Sequence, residues 1–232
     1  MGYVVFHMEK ARGSDSAMTA HIERTSHPKN ADESRTHLNR TLIEYPEGVK
    51  ERTAAIQHRL EHAGLKRKIG NNQVRAIRIN LSGSPEDMAR IEAAGQLDAW
   101  CTDSLQYLFD TFGRENIVSA HLHMDEKTPH IHATLVPIVQ AARTRRKKED
   151  QVKRHYRKKS ADTPRLCADD IMTRGRLKSY QDGYAKAMSH HGLQRGIDGS
   201  EARHISTQQY YRDLKKQSHK LQEDITQLQA DK

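Results

Sequence analysis

Cysteine is nearly absent: Cys101 and Cys167 are the only two in 232 residues, far apart and without C-x-x-C spacing. That excludes a disulfide framework and a cysteine-based zinc site, and makes a reducing compartment the expectation. Aromatic residues are 5% of the chain, so the core must be largely aliphatic. No apolar run approaches the ~20 residues that span a bilayer. The opening Met1-Gly2-Tyr3-Val4-Val5-Phe6-His7 has no basic stretch leading into a full apolar one, so neither a leader nor membrane insertion is expected, and the expected location is cytoplasmic. Acidic residues are also in deficit, with 30 Asp+Glu against 39 Lys+Arg and a net charge of +9. A basic chain favours a polyanionic partner, and nucleic acid is the commonest.

The patterning predicts an α+β fold, a central antiparallel β-sheet with flanking helices. Residues 3–8 form a short β-branched and aromatic run that reads as a first strand. Residues 74–81 alternate apolar and polar with period two, putting one face in the core and Arg75 or Arg78 outward. Two further strands are predicted at 117–125 and 131–139, joined as a hairpin by Glu126-Lys127-Thr128-Pro129. Helical spacing predicts helices over 47–63, ending at Gly64, and over 84–113, with Ser84 and Pro85 at its start and a break at Gly95. A last core helix is predicted over 169–191.

Ten basic residues crowd 143–159, a run that repels itself and predicts a mobile loop that waits for something negative. At the end of the chain Leu214, Leu221, Ile225 and Leu228 follow a coiled-coil-like register, which predicts a C-terminal amphipathic helix able to self-associate. The register is still running at Lys232, so the expectation is that the natural chain continues.

Histidine is what the chain has in plenty, with 15 copies. His130-Ile131-His132 is an H-x-H on a predicted strand, so both imidazoles project from one face. The hairpin brings His123 beside them, followed at once by Asp125 and Glu126. Three convergent nitrogens suit a divalent metal and leave positions open to water or substrate. His121, two residues before His123, shares its face and is an alternative ligand or a groove residue. Neutral ligands leave the ion its full charge for an anionic substrate, and phosphate fits both that and the basic chain.

These residues carry a resemblance. His123-Met124-Asp125-Glu126-Lys127-Thr128-Pro129-His130-Ile131-His132 resembles the metal motif of the MobV (Pre/Mob) plasmid-mobilisation relaxases, of the HUH endonuclease superfamily. His21-Ile22-Glu23-Arg24 is similar to that family's N-terminal motif, and Ser34-Arg35-Thr36-His37-Leu38-Asn39 to the segment after it. A later block, His191-Gly192-Leu193-Gln194-Arg195-Gly196 with Ser200 and His204, is also similar, so the matches reach to about residue 204.

The resemblance implies a relaxase domain over 1–204, with the basic loop near 140–162, and a C-terminal helix over 205–232. It implies nicking of one strand at a transfer origin (oriT) in a bacterial cytoplasm, to initiate conjugative mobilisation. The metal ligands would be His123, His130 and His132, and the motif acid Glu126. The nucleophile would be His21, leaving a 5′-phosphohistidine link and a free 3′ hydroxyl.

Imidazole is neutral and nucleophilic near pH 7 and needs orientation more than activation, which Glu23 or Glu126 can supply by accepting a hydrogen bond. Arg24 is expected to hold the phosphate opposite the metal. Arg35, His37 and Asn39 are expected near the cleaved phosphate, and Arg75 and Arg78 on a DNA-facing sheet surface. The ion expected in function is Mn2+ or Mg2+, with Zn2+, Ni2+ and Co2+ compatible with the ligands. Expected partners are oriT DNA, as duplex or hairpin plus single strand, conjugation coupling machinery, and a second copy through the C-terminal helix. Two rival readings are the same reaction with Tyr45 as nucleophile, and a non-catalytic, metal-containing DNA-binding or regulatory protein.

Overall fold

The computed structural model describes residues 2–140 and 163–196, and beyond them residues 215, 216, 218 and 220–222. The chain divides into two compact units, Met1–Arg195 and Gly196–Lys232, and in the second the residues described after Gly196 are helical. The basic run at 143–159, the boundary expected at 204, and Leu214, Ile225 and Leu228 lie outside the described residues.

The first unit runs β1 (Gly2–Lys10), α1 (Ser16–Ile22), a 3-10 turn (Glu33–Leu38), β2 (Arg40–Thr41), α2 (Arg52–Glu61) and β3 (Ile77–Gly83). It continues with α3 (Pro85–Ala93), α4 (Leu97–Phe112), β4 (Ile117–His123), β5 (His130–Leu135), β6 (Ile138–Val139), β7 (Arg165–Leu166), α5 (Ala168–Ile171) and α6 (Arg174–Ala187). A 3-10 turn (Ser189–His191) then leads into β8 (Leu193–Gln194). Six strands form one sheet in the order β2-β4-β5-β3-β1-β8, antiparallel except where β8 runs parallel to β1. This is the expected α+β arrangement.

The period-two alternation divides the sheet into two unlike faces. Phe6, Met8, Ile79, Leu81, Leu122, Ile131 and Leu135 point to one side and are buried with Met88, Ile91, Trp100, Leu108, Tyr184 and Met188 from α3, α4 and the end of α6. Each such Leu or Ile contributes about 1.5–3 kcal/mol by leaving water. On the opposite face, cross-strand partners line up Thr41, His121, His132, Asn80 and His7 in one row, with His123 and His130 paired in the next. Side chains from α1 and α2 reach this polar face: Arg52, fully buried, donates to Thr134 Oγ1 at 2.6 Å, Thr19 Oγ1 at 3.0 Å and Asp15 Oδ2 at 2.7 Å.

Several boundaries differ from the sequence reading. The strand expected at 74–81 runs from Ile77 to Gly83, because Val74 and Arg75 precede the ladder. The one expected at 131–139 ends at Leu135, since Pro137 has no N–H for a ladder, and resumes as β6 against β7. The helix expected over 47–63 is shorter, starting at Arg52 after a turn at Gly48. The 84–113 helix breaks at Gly95, as its left-handed φ of 67° requires. The Ser84 hydroxyl does not cap the helix backbone; it donates to Asp87 Oδ2 at 2.8 Å. Burial pushes the Cys101 thiol up to about 12, leaving it inert. Among the described residues no helix is long and apolar enough to cross a membrane.

Gly192 ends the 3-10 turn before β8 with φ 78°, and a Cβ there would lie 2.8 Å from Arg90 Nη2. Gly192→Ala should therefore cost about 1–2 kcal/mol of stability in urea unfolding. An unchanged midpoint would contradict this turn geometry.

Candidate metal centre

The polar face of the hairpin builds the site from its register. His123 pairs with His130 and His121 with His132, so all four project from one face, and the ring centroids of His123, His130 and His132 are 4.8 to 5.2 Å apart. Two backbone carbonyls select the tautomers. His123 Nε2–H donates to Ile22 O at 2.9 Å, which turns the lone pair of Nδ1 inward. His130 Nδ1–H donates to Thr128 O at 2.8 Å, which leaves the Nε2 lone pair facing His132 Nε2 at 3.1 Å. Such outer partners orient imidazoles toward a metal.

The site also contains a buried polar atom without a partner. His123 Nδ1 has no hydrogen bond and stands 3.7 Å from Glu126 Oε1. The ligand atoms of His123, Glu126 and His130 lie within 4.8 Å of one another, as do those of His21, His123 and His132. Neutral nitrogen donors aimed at one small volume beside a carboxylate fit a divalent ion. Burial lowers the His130 and His132 imidazoles below the ordinary histidine range, so they stay neutral, as ligation requires.

Glu126 sits among the rings. Its Oε1 is 3.8 Å from His21 Nε2 and 3.9 Å from His130 Nε2, and it accepts from Arg24 Nη2 at 2.7 Å. Asn30 donates to its other oxygen at 2.7 Å. Burial opposes its charge, but the neighbouring His123 and His130 and the Arg24 guanidinium outweigh that and hold the carboxyl at about 2. His21, in the last turn of α1, keeps its ring 5.5 Å from His132 and 5.9 Å from His123. Burial lowers its pKa to about 4 against the pull of Glu126, so the imidazole is neutral at pH 7.

Arg24 departs from its expected role. Its guanidinium is buried and donates Nε and Nη2 to the two oxygens of Asp125 at 2.8 and 2.7 Å, Nη2 also to Glu126, and Nη1 to His21 O at 2.7 Å. One N–H is left beyond these bonds, so Arg24 is a brace between α1 and the hairpin loop rather than an open phosphate clamp. Its backbone is left-handed, φ 54°, a conformation that costs a non-glycine residue about 1–2 kcal/mol and that these bonds hold in place.

Asn39 is likewise committed inward: it donates to Asp125 Oδ2 at 2.7 Å and accepts from Met124 N at 2.7 Å. Arg78, expected outward, lies on the polar face against Glu9 at 3.1 Å and Asp15 at 3.9 Å. Arg35, beside Glu92 at 3.8 Å, is half-exposed; His37, in the same turn, and Arg75 are exposed.

Tyr45 and His121 form a separate pair. The Tyr45 hydroxyl donates to Glu23 Oε1 at 2.7 Å and lies 3.1 Å from His121 Nε2. Burial and the Glu23 carboxylate push the phenol well above its ordinary value, so its proton is held tightly. Glu23, a candidate orienter of His21, is instead shared between Tyr45 and the N–H of Arg52 at 2.6 Å. Tyr45→Phe should cost about 1 kcal/mol of stability in urea unfolding. An unchanged unfolding midpoint would mean that this hydroxyl does not hold Glu23 in place.

Sequence reasoning missed Arg52, Asn30 and the bracing by Asp125. The only available signal was the Asp125-Glu126 pair beside the motif histidines.

A profile of the family described as plasmid recombination enzyme (Mob_Pre) matches residues 1–212. A 65 kDa protein of Zymomonas mobilis is 31% identical over 219 residues, 92% of this chain and 33% of its own length. A plasmid recombination enzyme of Bacillus thuringiensis is 27% identical over 237 residues, 97% of this chain and 45% of its own. The chain thus spans between a third and a half of these relatives' length. The MobM relaxase domain bound to plasmid pMV158 oriT DNA, in a Mn-bound crystal structure, shares the fold with TM-score 0.72 over 90% of this chain and 99% of its own, at 24% identity. On the profile match and the shared sequence, the chain belongs to the plasmid recombination enzyme (Mob_Pre) family.

Proposed function

We propose that this chain is the strand-cleaving domain of a DNA relaxase that nicks one strand at a plasmid transfer origin. The observation that carries the reading is the meeting of a neutral His21, a charged Glu126 and the inward-facing nitrogens of His123 and His130 on one sheet face. The MobM relaxase domain, seen with oriT DNA and Mn, supports the same assignment.

In this reading His123, His130 and His132 hold a divalent ion, Mn2+ by analogy with that neighbour. The ion supplies Lewis acidity that draws charge from the scissile phosphate. His21 Nε2 donates its lone pair to phosphorus, the P–N bond forms, the P–O3′ bond breaks, and the 3′ oxygen leaves to become a free hydroxyl. The 3′ alkoxide takes a proton from water and the imidazole gives its Nδ1 proton to water, leaving a phosphoramidate that keeps the bond energy for rejoining. Glu126 stays ionised and faces His21 Nε2; its charge stabilises the imidazolium that forms during attack. Arg24 fixes the His21 carbonyl and both carboxylates, and so sets the approach of the ring. The exposed His37 and Arg75 and the half-exposed Arg35 remain for the DNA backbone.

The test is supercoiled plasmid carrying the DNA that flanks this gene, incubated with Mn2+ or with chelator. Open circles with Mn2+ and none with chelator are expected. His130→Ala should lose nicking and at least about tenfold in Mn2+ affinity. Equal nicking with chelator would reject the metal centre, and salt-sensitive binding without any nick would favour a regulatory DNA-binding protein.

A further inference from the structure

A second group of metal-ligating side chains lies outside the cluster around Glu126. Asp103 projects from α4, and His190 and His191 sit in the 3-10 turn that follows α6. Both imidazoles meet one carboxylate oxygen: His190 Nε2 and His191 Nε2 are each 2.8 Å from Asp103 Oδ2. The two rings lie against each other with centroids 4.0 Å apart. The three ligand atoms lie within 4.8 Å of one another.

The geometry points to a second divalent-metal site, formed by Asp103, His190 and His191 and suited to a zinc-class ion. Two imidazole nitrogens and one carboxylate oxygen are the donors that Zn2+, Co2+ and Ni2+ prefer over Mg2+. Burial is graded across the group. The His191 side chain is 4% exposed, Asp103 38% and His190 60%, so one ligand is fixed in the fold and the solvent side is open for water to complete the shell.

The turn is rigid before any ion arrives. Arg90 Nη2 donates to His191 O at 2.7 Å, His191 N donates to Met188 O at 3.1 Å, and Gly192 closes the turn at φ 78°. Without an ion the Nε2–H groups donate to Asp103. On binding, each imidazole presents its Nε2 lone pair and carries its proton on Nδ1.

The ion would tie α4 to the turn that feeds β8. That strand is two residues long and closes the sheet edge beside β1, where ladder bonds are few. A metal clip there holds the last strand of the first unit in place. The site is independent of strand cleavage, so it stands or falls apart from the proposed function.

Zn2+ titration of the whole chain by calorimetry and equilibrium dialysis tests it. His190 is mostly exposed, so its removal leaves the fold intact, whereas His191 is buried. His190→Ala and Asp103→Asn should each bind one equivalent of Zn2+ fewer than the native chain, with Mn2+-dependent nicking within about twofold of it. His130→Ala should retain the ion of this second site, and Zn2+ should raise its Tm, an effect that His190→Ala abolishes in that background. Unchanged Zn2+ stoichiometry in His190→Ala would overturn the proposal, as would a natively folded His130→Ala chain that binds no Zn2+.

Discussion

His21→Ala should reduce nicking at least about 10^3-fold while leaving DNA affinity within about twofold. The loss is expected to be this large because, among the described residues, no neighbouring group is set to replace the nucleophile. Tyr45 holds its proton against Glu23, His130 Nε2 accepts a hydrogen bond from His132 Nε2, and His123 Nδ1 faces Glu126. Affinity should survive because one uncharged ring contributes little beside the basic surface that binds phosphate. Gel shift and nicking measured on the same preparation check this. Equal losses in both would make His21 a binding residue.

Arg24→Ala should cost about 3–5 kcal/mol of stability, since it strands a fully buried carboxylate. Asp125 has a side chain with no exposure and takes four hydrogen bonds, two from Arg24, one from Asn39 and one from Thr36. Burial pushes its pKa up, but the bonds from Arg24 and Asn39 outweigh that and hold the carboxyl well below its usual 3.8. A group depressed in the folded state adds stability above its unfolded value, and that stability is lost as pH falls through the folded value. The native chain should therefore lose stability progressively below about pH 4, and Arg24→Ala should show a weaker acid limb. Urea unfolding from pH 3 to 7 measures both. A loss under about 1 kcal/mol at pH 7 would mean that the brace is not what holds α1 against the hairpin.

Much of this was legible in the sequence because the pattern and the chemistry share one period. The alternation that buries Leu122, Ile131 and Ala133 also turns His123, His130 and His132 to the other face, so the H-x-H spacing implied both strand and cluster. The helices at Pro85 and Leu97 announced themselves by apolar spacing and by the glycines between and after them.

What escaped was short, polar or held by distant partners. Helix α1 has seven residues and buries only Thr19 and Ile22, too few to show a period, yet it carries His21. Strands β2 and β8, two residues each, exist because their neighbours offer ladder bonds. Arg24 and Asn39 looked like DNA contacts because a charged or amide side chain near a motif gives no hint of its partner. Their partner, Asp125, is separated from Arg24 by 101 residues, and only the fold brings them together.

The most direct test of the central claim is to trap the covalent product formed with Mn2+ on cleaved origin DNA and sequence the modified peptide by mass spectrometry. A nucleotide joined through phosphorus to the His21 ring is the predicted result. A nucleotide on Tyr45, or on any residue outside α1, would contradict it.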